Sequence, residues 1–357
     1  NLENKKEVLE CEKCDAIIHE DEIILTRDRM QETPPDILFT STEMLNQNLS
    51  NHNMAKLFGI KFEAKQPPIM VLLDEIHTYS GTHGAQVGFL LRRWINRITN
   101  PISVVGLSAT IKDPERFFNR LTGIFENNVE EIKPAYKDME SQGAEYIIAL
   151  KGDPVSQTSL LSTTIQTSML LSRMIENLNV NNNNKFYGKK VFAFTDDIDV
   201  TNRLYFGLLD AEGKNFDGSI NNFKKPLSSL RIPKMSISRE RYGQNWSAPE
   251  DIGHNLNLGK IVERVSSQDK GIDKTSEIVV ATSSLEVGFN DPEVGVVIQH
   301  KSPRDYASFL QRKGRAGRTR EMRPWTSIIM SDYGRDKVTY QAYEQLFDPE
   351  ISTQPIP

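Results

Sequence analysis

Val71-Leu72-Leu73-Asp74-Glu75-Ile76-His77 is the stretch on which the reading of this chain turns. The apolar run over 69–73 predicts a strand buried on both faces, as in the centre of a parallel sheet. Two carboxylates follow where that strand ends. Ligands of open α/β sheets bind beyond the carboxyl ends of strands. A strand-end aspartate is one way to hold Mg²⁺ on a row of phosphates. D-E-x-H alone fits equally well a strand running into an acidic turn, so the rest of the chain has to decide.

The length of 357 residues predicts about two domains. Contents of 38% apolar and 25% charged residues are ordinary for a globular protein. A formal charge of −5 excludes a chain that is basic throughout, but not a local basic groove. No apolar run reaches the ~20 residues of a membrane helix, and no signal-peptide pattern opens the chain. Two cysteines argue against a disulfide framework and fit a reducing, cytoplasmic compartment. The chain starts Asn1-Leu2-Glu3 and ends Gln354-Pro355-Ile356-Pro357, and it reads as part of a longer polypeptide.

Residues 1–32 are mixed and charged, and read as the end of an insertion. Cys11-x-x-Cys14 has the spacing of half a zinc knuckle, but a structural site takes four ligands and no second cysteine pair exists. Two unpaired thiols in a solvated hairpin are the alternative. Thr33-Pro34-Pro35 opens a short apolar strand over 36–39. Thr40, Ser41 and Thr42 follow before a helix from about Glu43; such hydroxyls either cap a helix or hold phosphate.

Beyond the acidic pair, Thr78 to Gly84 predicts a loop. Val87, Leu90, Leu91 and Trp94 then give a helical apolar stripe. Arg92, Arg93 and Arg97 lie on its other faces, either solvated or touching nucleic acid. A strand over 102–107 ends in Ser108-Ala109-Thr110, hydroxyls that can reach the preceding strand's carboxylates. Asp113-Pro114-Glu115 opens the next helix. A strand over 146–150 and the punctuation Lys151-Gly152-Asp153-Pro154 set the boundary, giving domains of 33–155 and 156–357.

A helix over about 158–178 leads to a loop tip at Asn181 to Asn184, and Lys190 to Thr195 begins a second βα series. Gly188-Lys189 precedes a strand and lacks the spacing of a phosphate loop, and no other stretch has it. Residues 211–275 predict an irregular insertion in which Arg239, Arg241, Tyr242 and Trp246 cluster. Trp246 either stacks on bases or packs the insertion onto its domain.

Strands over 277–282 and 294–299 flank Ser283-Ser284-Leu285-Glu286-Val287-Gly288-Phe289-Asn290-Asp291. Gln311-Arg312-Lys313-Gly314-Arg315-Ala316-Gly317-Arg318 follows at a helix end. Arginine offers a planar fork for phosphate oxygens, and the two glycines leave room for close approach. A generic basic patch does not need Q-x-x-G-R-x-G-R in that order.

Asp74-Glu75-x-His77, Ser108-Ala109-Thr110, Thr282 to Gly288 and Gln311-x-x-Gly314-Arg315-x-Gly317-Arg318 occur in order and at fitting separations. Together they resemble motifs II, III, V and VI of superfamily 2 helicases, the DEAD/DEAH-box class. Lys190 to Thr195 resembles the motif IV strand, and Thr40-Ser41-Thr42 resembles motif Ib. The resemblance spans about 33–335. It implies an α/β fold of two RecA-like domains with parallel central sheets, the first incomplete at its N-terminus, and ATP–Mg²⁺ in the cleft between them. It implies Asp74 as the Mg²⁺ ligand, Glu75 orienting or activating the attacking water, His77 and Gln311 coupling the domains, and Arg315 and Arg318 as arginine fingers. Gly288 and Asp291 would lie near the nucleotide ribose. Thr40, Ser41, Thr42, Thr282, Ser283 and Ser284 would follow a nucleic-acid backbone, and Ser108 and Thr110 would relay the nucleotide state.

The family's phosphate loop is absent and is expected before residue 1 or in another chain. The stretch Asp74 to Val87 is similar to the large helicases of bacterial anti-phage systems such as DISARM, which work with protein partners. The expectation is thus an ATP-dependent translocase or helicase, acting on DNA, with no membrane association. An RNA helicase or a non-catalytic nucleic-acid-binding scaffold is the alternative.

Overall fold

The computed structural model describes residues 8–51, 53–60, 67–98, 100–108, 111–140, 143–152, 159–177, 186–233, 244–265, 273–282, 290–304 and 306–347. The chain divides into two units, residues 1–133 with 349–357, and residues 134–348.

In the first unit β1 (Leu9–Glu10) and β2 (Ile17–Ile18) form an antiparallel hairpin. Helices α1 (Arg27–Glu32) and α2 (Thr42–Asn48) follow. Then come β3 (Met70–Leu73), α3 (Gly81–Ile95), β4 (Ser103–Gly106) and α4 (Pro114–Thr122). β3 and β4 pair in parallel, Leu73 opposite Gly106. The predicted stripe of Val87, Leu90, Leu91 and Trp94 is buried, against Phe117, Phe118 and Leu121 of α4 and Leu73 of β3. Two of the three helix arginines are tied to protein. Arg92 donates to the carbonyls of Asn119 and Arg120, and Arg93 donates to Asn46 Oδ1 at 2.6 Å.

The second unit is built on one parallel sheet, ordered β5-β10-β9-β6-β8-β7. Its strands are β5 (Tyr146–Lys151), β6 (Lys190–Phe194), β7 (Val262–Val265), β8 (Ile278–Ala281), β9 (Val294–His300) and β10 (Trp325–Met330). β6, β8 and β9 are buried along their whole length, which their Val/Ile/Phe runs require. The helices are α5 (Leu160–Leu171), α6 (Ile198–Ala211), α7 (Ser247–Asp251), α8 (Tyr306–Lys313) and α9 (Gly334–Gln341). The turn into β6 lies so close to β9 that a Cβ on Gly295 would meet the Tyr187 carbonyl oxygen at 1.6 Å, so only glycine fits there.

Several expectations are corrected. β3 is not buried on both faces: Met70 and Leu72 are 55% and 63% exposed, because α3 and α4 cover only the face of Val71 and Leu73. Residues 36–39 are not a strand; they find no pairing partner among the described residues. Helix α3 begins at Gly81, inside the predicted loop. The strand expected to close the first domain, β5, pairs along its full length with β10 and so belongs to the second unit. The predicted irregular insertion contributes α7 and the edge strand β7.

Within that insertion Trp246 packs against the second unit's core, its backbone N–H donates to the Arg231 carbonyl at 2.8 Å, and the Arg231 guanidinium lies over its ring. The packing alternative holds for this tryptophan. Arg239, Arg241, Tyr242 and the asparagine run lie outside the described residues.

Below the sheet, fully buried Arg173 forks onto fully buried Glu212, with N···O distances of 2.8 and 2.6 Å. The Lys260 backbone N–H also donates to Glu212, and Arg173 donates to the Leu258 carbonyl. Removing one partner of such a pair strands a buried charge, whereas replacing both by apolar groups does not. Glu212→Ala should therefore cost about 3–5 kcal/mol in chemical denaturation. The double change Arg173→Met with Glu212→Leu should cost clearly less than either single change.

Candidate functional site

In the first unit the acidic pair sits at the carboxyl end of β3. Asp74 is exposed, and its Oδ1 accepts the Glu75 N–H at 2.9 Å. Glu75 has a left-handed backbone, φ 47° and ψ 46°, which is costly for a residue with a Cβ. The kink is held from both sides. Thr78 Oγ1 donates to the Glu75 carbonyl at 2.7 Å, and the Ile76 N–H donates to the Leu107 carbonyl of the neighbouring strand end.

His77 is buried, with Nδ1 at 3.0 Å from Ser108 Oγ and 3.3 Å from Glu75 Oε2. A proton on Nδ1 would be shared between hydroxyl and carboxylate. Ser108 was expected to reach the carboxylates directly; it reaches His77, which touches Glu75. Tyr79 lies near enough to Asp74 that burial first, and the aspartate's charge second, raise its phenol above the ordinary value.

Asp74 and Glu75 fit Mg²⁺ chemistry of the kind in which one or two carboxylates hold the ion while waters and phosphates complete its shell. Among the described residues no group of three or more His, Cys, Asp and Glu side chains is placed to hold a metal by itself.

Ser41 Oγ accepts the Met44 N–H at 3.2 Å and caps α2; Thr40 is exposed and Thr42 half-buried beside it. Cys11 and Cys14 are exposed on the turn between β1 and β2, where the Cys11 N–H donates to the Ala16 carbonyl. The Cys11 thiol is held below its ordinary value by the Lys13 backbone N–H first, then by the Cys14 side chain and N–H. This is the hairpin that the sequence allowed, and it brings two sulfurs together with no third ligand among the described residues.

In the second unit Gln311 lies on α8, and Arg315 is buried just beyond that helix. Arg318 is exposed; its Nε donates to the Gly314 carbonyl at 3.0 Å and a terminal nitrogen donates to Asn290 Oδ1 at 2.9 Å. Asp291 is already engaged: Oδ2 pairs with the buried Lys190 Nζ at 2.8 Å, and Oδ1 accepts the Glu293 N–H at 2.9 Å. Its position makes it a counter-ion for Lys190. Thr282 is half-buried just after β8; Thr110, Ser283, Ser284 and Gly288 lie outside the described residues.

Sequence reasoning missed two residues. Arg312, quoted only as a letter inside the arginine motif, is buried and joins the carboxyl ends of β6 and β9 through Asp196 (2.5 Å) and Gln299 (2.8 Å). Asn290 is the acceptor for Arg318. No local pattern marks either, since their partners lie far along the chain.

Residues 260–320 match the family model described as the helicase conserved C-terminal domain. The chain is 26% identical over 321 residues to an uncharacterized ATP-dependent helicase of Methanocaldococcus jannaschii, covering 88% of this chain and 37% of that protein. Its fold is similar to that of Mycobacterium smegmatis helicase Lhr bound to ssDNA and AMP-PNP, with a TM-score of 0.54 and 20% identity over 93% of this chain and 36% of that one. The DUF1998 helicase MrfA bound to DNA gives a TM-score of 0.53 at 16% identity, covering 93% and 40%. The chain spans well under half the length of each. These likenesses show RecA-like α/β units, and residues 260–320 match the helicase C-terminal domain model.

At the end of β9 the buried His300 receives or gives a hydrogen bond between Nδ1 and Thr164 Oγ1 at 2.7 Å. Burial, and then the charge of Lys301, push its pKa down to about 4 against the opposing pull of Asp336 and Asp196. Between that value and ~6.5 the unfolded chain binds the extra proton. His300 therefore weakens the fold as pH falls from 6.5 to 4, by roughly 3 kcal/mol in all. Denaturation across that window should show the loss, and His300→Gln should flatten the slope.

Proposed function

We propose that this chain is the motor part of an ATP-dependent nucleic-acid translocase or helicase acting on DNA. The observation that carries this is the strained acidic corner after β3, where His77 and Ser108 hold Glu75 beside an exposed Asp74. Strain at a strand end persists where the surroundings enforce it, and it concentrates at working sites.

Asp74 would hold the metal, directly or through water. A bound Mg²⁺ would supply neutralisation of the phosphate charge that develops during transfer. Glu75 orients the attacking water and accepts its proton. Arg315 and Arg318 stabilise negative charge on the transferred phosphoryl group, and among the described residues two of the five N–H groups of Arg318 are engaged. His77 and Gln311 relay the nucleotide state. Thr40, Ser41, Thr42, Thr282, Ser283 and Ser284 are assigned to gripping the backbone without reading sequence, and Gly288 is assigned to the ribose. No stretch of these 357 residues has the G-x-x-x-x-G-K-[ST] spacing of the phosphate loop that the helicase resemblance implies. DNA is favoured because Lhr and MrfA, two of the solved proteins of similar fold, are bound to it. A role in anti-phage defence with protein partners rests on the likeness of residues 74–87 to such helicases.

ATPase assays of the full-length polypeptide with ssDNA, dsDNA and RNA test this. DNA should stimulate turnover, and Arg318→Ala should reduce it by about 10³-fold or more with DNA binding retained. Glu75→Gln should abolish stimulation. Stimulation by RNA alone would move the substrate to RNA. No stimulation by any nucleic acid, or full activity in Glu75→Gln, would sink the motor reading.

A further inference from the structure

We infer that Asn290 is a positioning residue for Arg318, a neutral acceptor that aims the guanidinium without cancelling its charge; the inference rests on the motor reading above. Arg318 extends from the turn after α8 and is fixed at two points, the Gly314 carbonyl through Nε and Asn290 Oδ1 through a terminal nitrogen. The first contact is local, to the carbonyl four residues back, and holds the Nε edge of the guanidinium. The second reaches across to the segment before β9 and fixes the direction of the charged end.

That segment is itself braced. Asp291, next to Asn290, is clamped by Lys190 at the start of β6 and caps the Glu293 N–H. Thr319 Oγ1 donates to the Pro292 carbonyl at 2.9 Å, and the Gly317 N–H donates to the Val294 carbonyl at 3.2 Å. Both flanks of Arg318 are thus tied to the strip that carries its acceptor. A rotamer-rich side chain held this way loses less entropy when it meets its target.

The chemistry of the acceptor matters as much as its place. An aspartate at 290 would bond Arg318 as well, but as an ion pair it would spend the charge that a triphosphate needs. The adjacent carboxylate, Asp291, is kept from that role by Lys190, which is only 2% exposed and has Glu293 as a second counter-ion at 3.7 Å. The arrangement supplies geometry from an amide and keeps the nearby negative charge occupied.

The test is steady-state ATPase of the full-length polypeptide at saturating nucleic acid, with Asn290→Ala and Asn290→Asp in both wild-type and Arg318→Lys backgrounds. In the wild-type background Asn290→Ala should lower kcat about tenfold through misplacement, leaving KM for nucleic acid and the melting temperature unchanged. Asn290→Asp should also lower kcat although it preserves the hydrogen bond. In the Arg318→Lys background Asn290→Ala should change kcat by less than about twofold, because the two residues act as a unit. Equal loss in both backgrounds, or wild-type kcat in Asn290→Ala, would overturn the inference while leaving the motor reading intact. A wild-type protein with no nucleic-acid-stimulated ATPase would remove both.

Discussion

Between the carboxyl ends of β6 and β9, the Arg312 guanidinium donates to Asp196 and Gln299 and lies over the Phe194 ring. One side chain thereby fixes α8 against two central strands. A guanidinium buried to this degree is tolerable only when its donors are met, so the position of α8 is not free to drift. Arg315 and Arg318 leave the end of that helix within six residues of the joint. The placing of the exposed cation is inherited from a buried one, and the sheet beneath needs its fully buried strands to give that joint a dry floor.

The first unit uses a different device for the same end. There a left-handed residue at the end of β3 turns the chain, and the turn is kept by hydrogen bonds to the neighbouring strand end and by the buried His77. Ser108 belongs to the connection after β4, so any displacement of that connection reaches Glu75 through one imidazole. Coupling between strand ends thus runs through named contacts of about 3 Å, the kind of contiguous link that a two-state relay requires.

Much of this was legible from the chain itself, and the reasons are local. The stripe of α3, the proline opening α4, the Ser41 cap and the strand-ending hydroxyls all depend on residues within a turn or two of each other. The sheet partner of β5 was not legible, because a short Ile/Leu strand carries no label saying which neighbour it will pair with; β10 begins 174 residues after Lys151 ends it. The exposed face of β3 was missed for the converse reason: an apolar run records what a strand can bury, not what covers it. Asp291 looked like a ligand by its place in a motif, and only the buried Lys190, 101 residues earlier, shows what its carboxylate does. Arg312 and Asn290 escaped in the same way.

The pairing of β3 with β4 alone has a practical consequence. Among the described residues each of these strands keeps one unpaired ladder edge, and Met70 and Leu72 stand on the uncovered side. Open edges beside apolar side chains recruit further strands, including those of other molecules. A preparation limited to these residues would therefore gain from a covering strand on this edge, or from Leu72→Lys on its uncovered face.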